Sequence, residues 1–484
     1  MSTPEKTQPT AAPAPPPTSR WRPLILRLHF YAGIFIAPFI LVAAVTGGLY
    51  AIAPTLESVV YRDLLHTDSA GPARPVSDQI LSAQQERPDL TVTAVRPATE
   101  PGDTTRVLFT DPSLGESKRT AVFIDPATAA PVGHSTVYGS SGSLPLRTWI
   151  SELHRSLHLG DTGRLYSELA ASWLGVVALG GAFLWAERYR RQHSRNSDNA
   201  RLFTVDRTAR GRRRTLGLHG ASGAWIVVGL VFLSATGLTW SNHAGANITD
   251  LRSALSWTTP AVDTDLTGPA GHSDDQHAGH AGHGTSDTAA TTEAVDVRQI
   301  DGVLAVARAN DITGAVEASI PTSSDTAFTV AQLRDPWVFS TDSIAVDGAS
   351  ERIVDVQRFA DWPVAAKLST WGVSLHMGVL FGLVSQLALL ALAAVLVTMI
   401  IAGYRMWFQR RPVRSGASPV GRPPQRGAIR RIPPLAAVGL VVVTVAVGYF
   451  MPLLGLSLLA FLAVDLVVGV RSRAVSGATP PRSG

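Results

Sequence analysis

Apolar positions along the chain gather into six long runs, at roughly 28–53, 166–187, 217–241, 378–404, 434–451 and 453–470. A helix crossing about 30 Å of hydrocarbon needs about 20 mostly apolar residues, so the first four runs predict membrane spans. The last two are shorter and are joined by "YFMPLLG", where Pro452 leaves room only for a tight turn. They predict a helical hairpin. Between the runs the pattern changes. Segment 54–165 holds one helical stretch, "VSDQILSAQQERP" (76–88), followed by "TVTAVRP", "TRVLFTD" and "RTAVFIDPATAAPVG". The last three alternate apolar and polar residues between turn signals and read as strands. Segment 242–377 repeats the order, with "VRQIDGVLAVARAN" (297–310) and then "GAVEASIP", "TAFTVAQL" and "DSIAVDGASERIVDV".

The expected architecture is a membrane all-α bundle, four core spans plus a C-terminal hairpin, carrying two small extracytoplasmic α+β domains. Its divisions are a disordered cytosolic tail at 1–20 and spans at 21–53, 166–187, 216–241 and 368–407. The outer domains occupy 54–165 and 242–367, the second with a linker at 258–293 rich in Gly, Ala, Thr, Asp and His. Basic cytoplasmic loops at 188–215 and 408–432, the hairpin at 433–471 and a cytosolic tail at 472–484 complete the chain.

Composition agrees with a membrane protein: of 484 residues 45% are hydrophobic and only 16% charged, against about 25% charged in an average soluble protein. The first apolar run is too long for a secretory h-region and lacks a small-residue cleavage site, so it reads as a retained span. The net charge of +5 would fit a nucleic-acid partner were it not for where the arginines lie. Ten fall between Arg188 and Arg214 and eight between Arg405 and Arg431, beside spans. Such loops face the cytoplasm by the positive-inside rule. Both termini are then cytoplasmic, the two long segments lie outside an inner or plasma membrane, and no nucleic-acid partner is expected. The sequence has no cysteine, which excludes disulfides, thiolate catalysis, Cys-ligated iron–sulfur clusters and covalently attached haem.

The spans repeat internally. "LHFYAG" (28–33) matches "LHGASG" (218–223), and Thr46-Gly47 and Thr236-Gly237 each follow 17 residues after the histidine. "TWISELH" ends at His154 and "TWGVSLH" at His376. Two copies of histidine-span, outer segment, histidine-span make up the chain. Gly33, Gly223, Gly47 and Gly237 read as close-packing positions, and Trp149 and Trp371 as interfacial anchors. His29 and His219 fall near the cytoplasmic face, and His154 and His376 near the outer face. Helix rise separates His29 from Thr46 by about 26 Å. A neutral imidazole is a good axial iron ligand, so two pairs, one per face, predict two haem b groups that relay electrons. Hydrogen bonding between helices and a proton or metal-ion pathway are the other readings of these histidines. His158 lies one helical turn after His154 and is the alternative ligand. Glu168 is the main buried acid, and Asp465 lies near Arg471 at an interface.

"RLHFYAGIFIAPFILVAAVTGGLY", "ELHRSLHLG", "LHGASGAWIVVGLVFLSATGL" and "LHMGVLFG" resemble the PepSY-associated transmembrane family of bacterial inner-membrane proteins, which includes ferrisiderophore reductases and iron-regulated membrane proteins. "FIDPATAAPVG" (123–133) is similar to the end of a PepSY domain. The resemblance covers roughly residues 21–410. It implies haem b ligation by His29, His154, His219 and His376, and reduction of ferric-siderophore or other metal ions outside with electrons from the cytosolic side. No Gly-x-Gly-x-x-Gly follows a strand, so the donor is expected to be a flavin, a separate reductase or a membrane quinol. No catalytic residue is assigned. In the linker, "GHSDDQHAGHAGHG" (271–284) places His272, His277, His280 and His283 beside Asp274 and Asp275, donors suited to Cu(II), Zn(II) or Ni(II). Copper is therefore a candidate substrate beside ferric chelates. The alternative function is a membrane-anchored PepSY module that regulates secreted peptidases, senses ligands, or handles metal ions without redox chemistry.

Overall fold

The computed structural model describes residues 19–195, 200–267, 295–409 and 432–477. The four linker histidines lie outside the described residues. The chain divides into two compact units. The first comprises 1–44, 168–238 and 394–484, and the second 45–167 and 239–393.

The helices in chain order are α1 (Arg22–Phe35), α2 (Ala37–Val60), α3 (Arg62–Leu65), α4 (Val76–Glu86), α5 (Pro145–Ser156), α6 (Gly160–His193), α7 (Gly211–Leu238), α8 (His243–Ala254), α9 (Ile300–Ala309), α10 (Val364–His376), α11 (Leu383–Phe408), α12 (Pro434–Phe450) and α13 (Pro452–Gly477). Five of them, α2, α6, α7, α11 and 452–470 of α13, are long and apolar enough to cross a membrane. α12 is apolar but has only 17 residues. The six apolar runs thus become five full-length candidates and one short helix.

Two predicted spans are interrupted. The run at 28–53 breaks at Ile36, between α1 and α2. Pro38 has no N–H to give the carbonyl four residues back, and Tyr404 Oη donates to that orphaned Ile34 oxygen instead (2.8 Å). The span at 368–407 breaks between α10 and α11, where Gly378 and Gly382 have left-handed φ of 75° and 54°.

In the first unit, Ala32, Trp173 and Leu454 form a buried cluster. Trp173 Nε1 donates to Ser457 Oγ (2.8 Å), and buried Arg27 pairs with Asp465. Asp465 is therefore the partner of an arginine on α1. An aspartate on an apolar helix is stabilised most by a fixed guanidinium held nearby.

In the second unit, the strands are β1 (Thr91–Arg96), β2 (Thr105–Thr110), β3 (Lys118–Ile124), β4 (Pro131–Tyr138), β5 (Val316–Ser319), β6 (Phe328–Gln332), β7 (Ser343–Val346) and β8 (Ile353–Gln357). The helix-then-strands order expected of both segments is present. All eight strands form one sheet in the order β4-β3-β2-β1-β5-β6-β7-β8. β1 and β5, the first strand of each repeat, pair antiparallel through Ala94↔Ser319 and Val95↔Ala318. A four-stranded half would expose the bare edge of its first strand, and pairing the two edges removes that liability. α4 and α9 share one apolar core with both halves, including Ile80, Phe109, Ile300 and Phe328. Asp301 of α9 caps the other repeat's helix, accepting from Val76 N (2.8 Å) and from the Ser77 hydroxyl. Glu317 of β5 accepts from Arg96 of β1 (2.6 Å) and Arg119 of β3 (3.0 Å). Burial alone would raise the Glu317 carboxyl, but these two guanidiniums override it and hold it below the usual glutamate range.

Candidate functional site

Each unit holds one of the two histidine pairs. In the first, His29 of α1 and His219 of α7 face each other with ring centroids 6.3 Å apart and planes crossed at 76°. His29 Nδ1 lies 3.0 Å from the carbonyl oxygen of Val177 on α6. His219 Nδ1 lies 3.0 Å from that of Met399 on α11. A carbonyl can only accept, so both Nδ1 atoms carry the proton and both Nε2 atoms keep a lone pair. Such a second hydrogen bond fixes the tautomer and orientation of a ligating imidazole. Two imidazoles that share one metal with bonds of about 2.0 Å have ring centroids about 6 Å apart. The spacing, tautomer and neutral donor set fit a metal at the centre of a porphyrin.

The neighbouring backbone approaches the His29 ring closely and the His219 ring at ordinary contact distance. A Cβ on Gly181, four residues after Val177 on α6, would lie 2.9 Å from His29 Cε1. One on Gly403 of α11 would lie 3.9 Å from His219 Cε1.

In the second unit, His154 ends α5 and His376 ends α10. Each short helix stops beside left-handed residues before a long apolar helix begins, at Leu157 and His158 in one repeat and at Gly378 in the other. His154 and His376 are electrostatic neighbours. His154 Nδ1 and the Thr46 hydroxyl are 3.0 Å apart, and with Nδ1 protonated the imidazole donates and leaves Nε2 to ligate. The His154 ring stacks on Tyr50 at 6.4 Å and 13°. Trp240 meets His376 edge to face at 5.1 Å. A Cβ on Gly47 would lie 3.0 Å from His154 Cε1.

His158, the alternative ligand, is occupied differently. Its Nδ1 is 3.4 Å from Glu152 Oε2, and its ring lies 5.0 Å from Trp149. The backbone turns left-handed at His158 (φ 57°), so the one-turn spacing that would align it with His154 on a helix does not exist. Among the described residues no group of three or more His, Cys, Asp or Glu side chains is arranged to hold a metal ion.

Thr46, Gly47 and Gly181 are the residues whose part is visible only in three dimensions. The repeated Thr-Gly step marks the first two in the sequence, where Gly47 reads as a close-packing position and Thr46 carries no assigned part. Gly181 had only the Gly180-Gly181 doublet to mark it.

No curated protein matches the chain. Its sequence matches the family described as the PepSY-associated TM region over residues 26–410. With that match covering most of the chain, and with its apolar helices and paired histidines, this multi-pass membrane protein belongs to the PepSY-associated TM region family.

Proposed function

We propose that this protein is a di-haem b electron carrier that moves electrons across a membrane to a metal ion or ferric chelate. His29 with His219, and His154 with His376, are the two axial pairs. The observation that carries the reading is the first pair: two imidazoles at a metal-sharing distance, each with Nδ1 committed to a backbone carbonyl. Haem b held this way supplies one-electron exchange between its ferric and ferrous states. The chain's own work is to present Nε2 from rigid helices, to keep the imidazoles neutral and to exclude bulk from their faces with Gly47 and Gly181. The donor, a reduced flavin or quinol on the arginine-rich side, gives up electrons singly. The acceptor on the side of the sheet, Fe(III) in a chelate or Cu(II), takes one electron and becomes Fe(II) or Cu(I). Reduction lowers the charge on iron and weakens hard-ligand chelation, which releases the metal.

A second reading, a membrane-anchored ligand-binding or peptidase-regulating module, draws on one feature of the sheet unit. A cleft lined by Arg74, Gln79, Asp301 and Arg308 contains Gln79 Oε1, buried without a hydrogen-bond partner among the described residues. Colour separates the two. Protein purified from haem-replete cells should show a Soret band and α bands that sharpen on dithionite reduction. H219A and H376A should each remove about half the haem. Retention of full haem in both variants would reject the ligand assignment, and colourless wild type would favour the second reading.

A further inference from the structure

A cleft of about 540 Å³ in the first unit is lined by Arg210, Gly211, Arg214, Thr215, Leu218 and Arg405. Three guanidiniums line it, Arg210 from the residue before α7, Arg214 from the first turn of α7 and Arg405 from the last turn of α11. None of the three has an ion-pair or hydrogen-bond partner among the described residues. α7 has no acidic residue in its first turn, so its leading N–H groups add to the positive potential rather than being capped by a carboxylate. Like charges gathered without a counter-charge repel one another, and an anion relieves this.

The cleft lies along the same two helices that hold His219. Arg214 precedes His219 by five residues, about 7.5 Å of helix rise. Arg405 follows Met399, whose carbonyl holds His219 Nδ1, by six residues, about 9 Å. Leu218, the neighbour of His219, forms an apolar part of the wall. An anion seated here can therefore belong to a molecule already centred on the His29–His219 pair. On the di-haem reading, on which this inference rests, that molecule is a porphyrin with two propionate carboxylates. We propose that Arg214 and Arg405 bind those carboxylates, with Arg210 completing the positive rim. A planar guanidinium suits a carboxylate because it can donate two parallel hydrogen bonds. The arrangement fixes which edge of the macrocycle faces the arginines, and it balances the charge that the propionates bring.

The test uses full-length protein in detergent, stripped of porphyrin and reconstituted with haem b or with its dimethyl ester, which lacks the carboxylate charges. Titration followed at the Soret band should show wild type preferring haem by about tenfold or more at one of two sites, the worth of a charge-assisted pair. The R214Q/R405Q variant should bind haem and diester at that site within a factor of about two. R214K/R405K, which keeps the charge and loses the fork, should fall between them. The midpoint potential of that haem should drop in R214Q/R405Q, because lost positive charge favours the ferric state, while the haem of the other pair serves as an unchanged internal standard. Equal preference for haem in wild type and R214Q/R405Q overturns the assignment. So does loss of a co-purifying anionic phospholipid from R214Q/R405Q with the porphyrin preference intact, which gives the cleft to a lipid headgroup. Failure of wild type to bind either porphyrin overturns the di-haem reading together with this inference.

Discussion

At the residue scale, the histidines are ordinary side chains made specific by what holds their second nitrogen. His29 and His219 use backbone carbonyls, which no side-chain substitution removes. His154 uses the Thr46 hydroxyl, which can be removed. Thr46→Val should keep the protein folded and lower affinity for one haem by about tenfold or more, the usual loss when a ligand's outer hydrogen bond goes. Haem titration and the potential of that site would report it, and an unchanged titration would show that Thr46 only packs. Gly181→Val should remove about one haem of two, because even its Cβ reaches His29 Cε1 at 2.9 Å. The histidines themselves were legible from their repeated motifs. The glycine and threonine contacts were not, because each joins residues on different helices, and spacing along one helix says nothing of what lies opposite.

At the element scale, apolar runs reported where helices would lie but not where they would break. The Ile36 break has a sequence cause in Pro38, yet its repair by Tyr404 comes from a helix more than 350 positions away. The strands were likewise legible one by one, while the β1–β5 pairing that fuses the halves was not. Glu317 tests that junction. Its carboxyl is held below the ordinary glutamate value of 4.5 by Arg96 and Arg119. A depressed carboxyl contributes stability that is full above the unfolded value and lost as pH falls through the folded one. Hydrogen exchange at the Val95 and Ala318 amides should therefore accelerate as pH falls below about 4, after correction for intrinsic exchange. Glu317→Gln should speed the same amides near neutral pH, with a local cost of about 3 kcal/mol, since the buried Arg96 and the half-buried Arg119 lose their counter-charge. Unchanged protection would show that strand pairing alone carries the junction.

At the scale of the whole molecule, duplication is the organising feature. Each unit contains one histidine pair, and each pair takes one histidine from each repeat. In the sheet, antiparallel pairing of the equivalent strands β1 and β5 gives the strand order an internal two-fold. The absence of cysteine allows the proposed orientation to be read directly. In intact cells a membrane-impermeant maleimide should label E116C, placed on the exposed turn before β3, and should label R207C only after permeabilisation. Reversed labelling would invert the direction of electron flow proposed here. The sequence by itself determined the apolar helices, the strands, the repeat and the four histidines, because hydropathy, alternation and motif spacing are properties of neighbours in the chain. Only the tertiary structure decided that two repeats share one sheet, that Asp465 answers Arg27, that His158 turns away, and that His29 meets His219. These depend on contacts between distant segments, whose partners are selected by packing and charge in three dimensions.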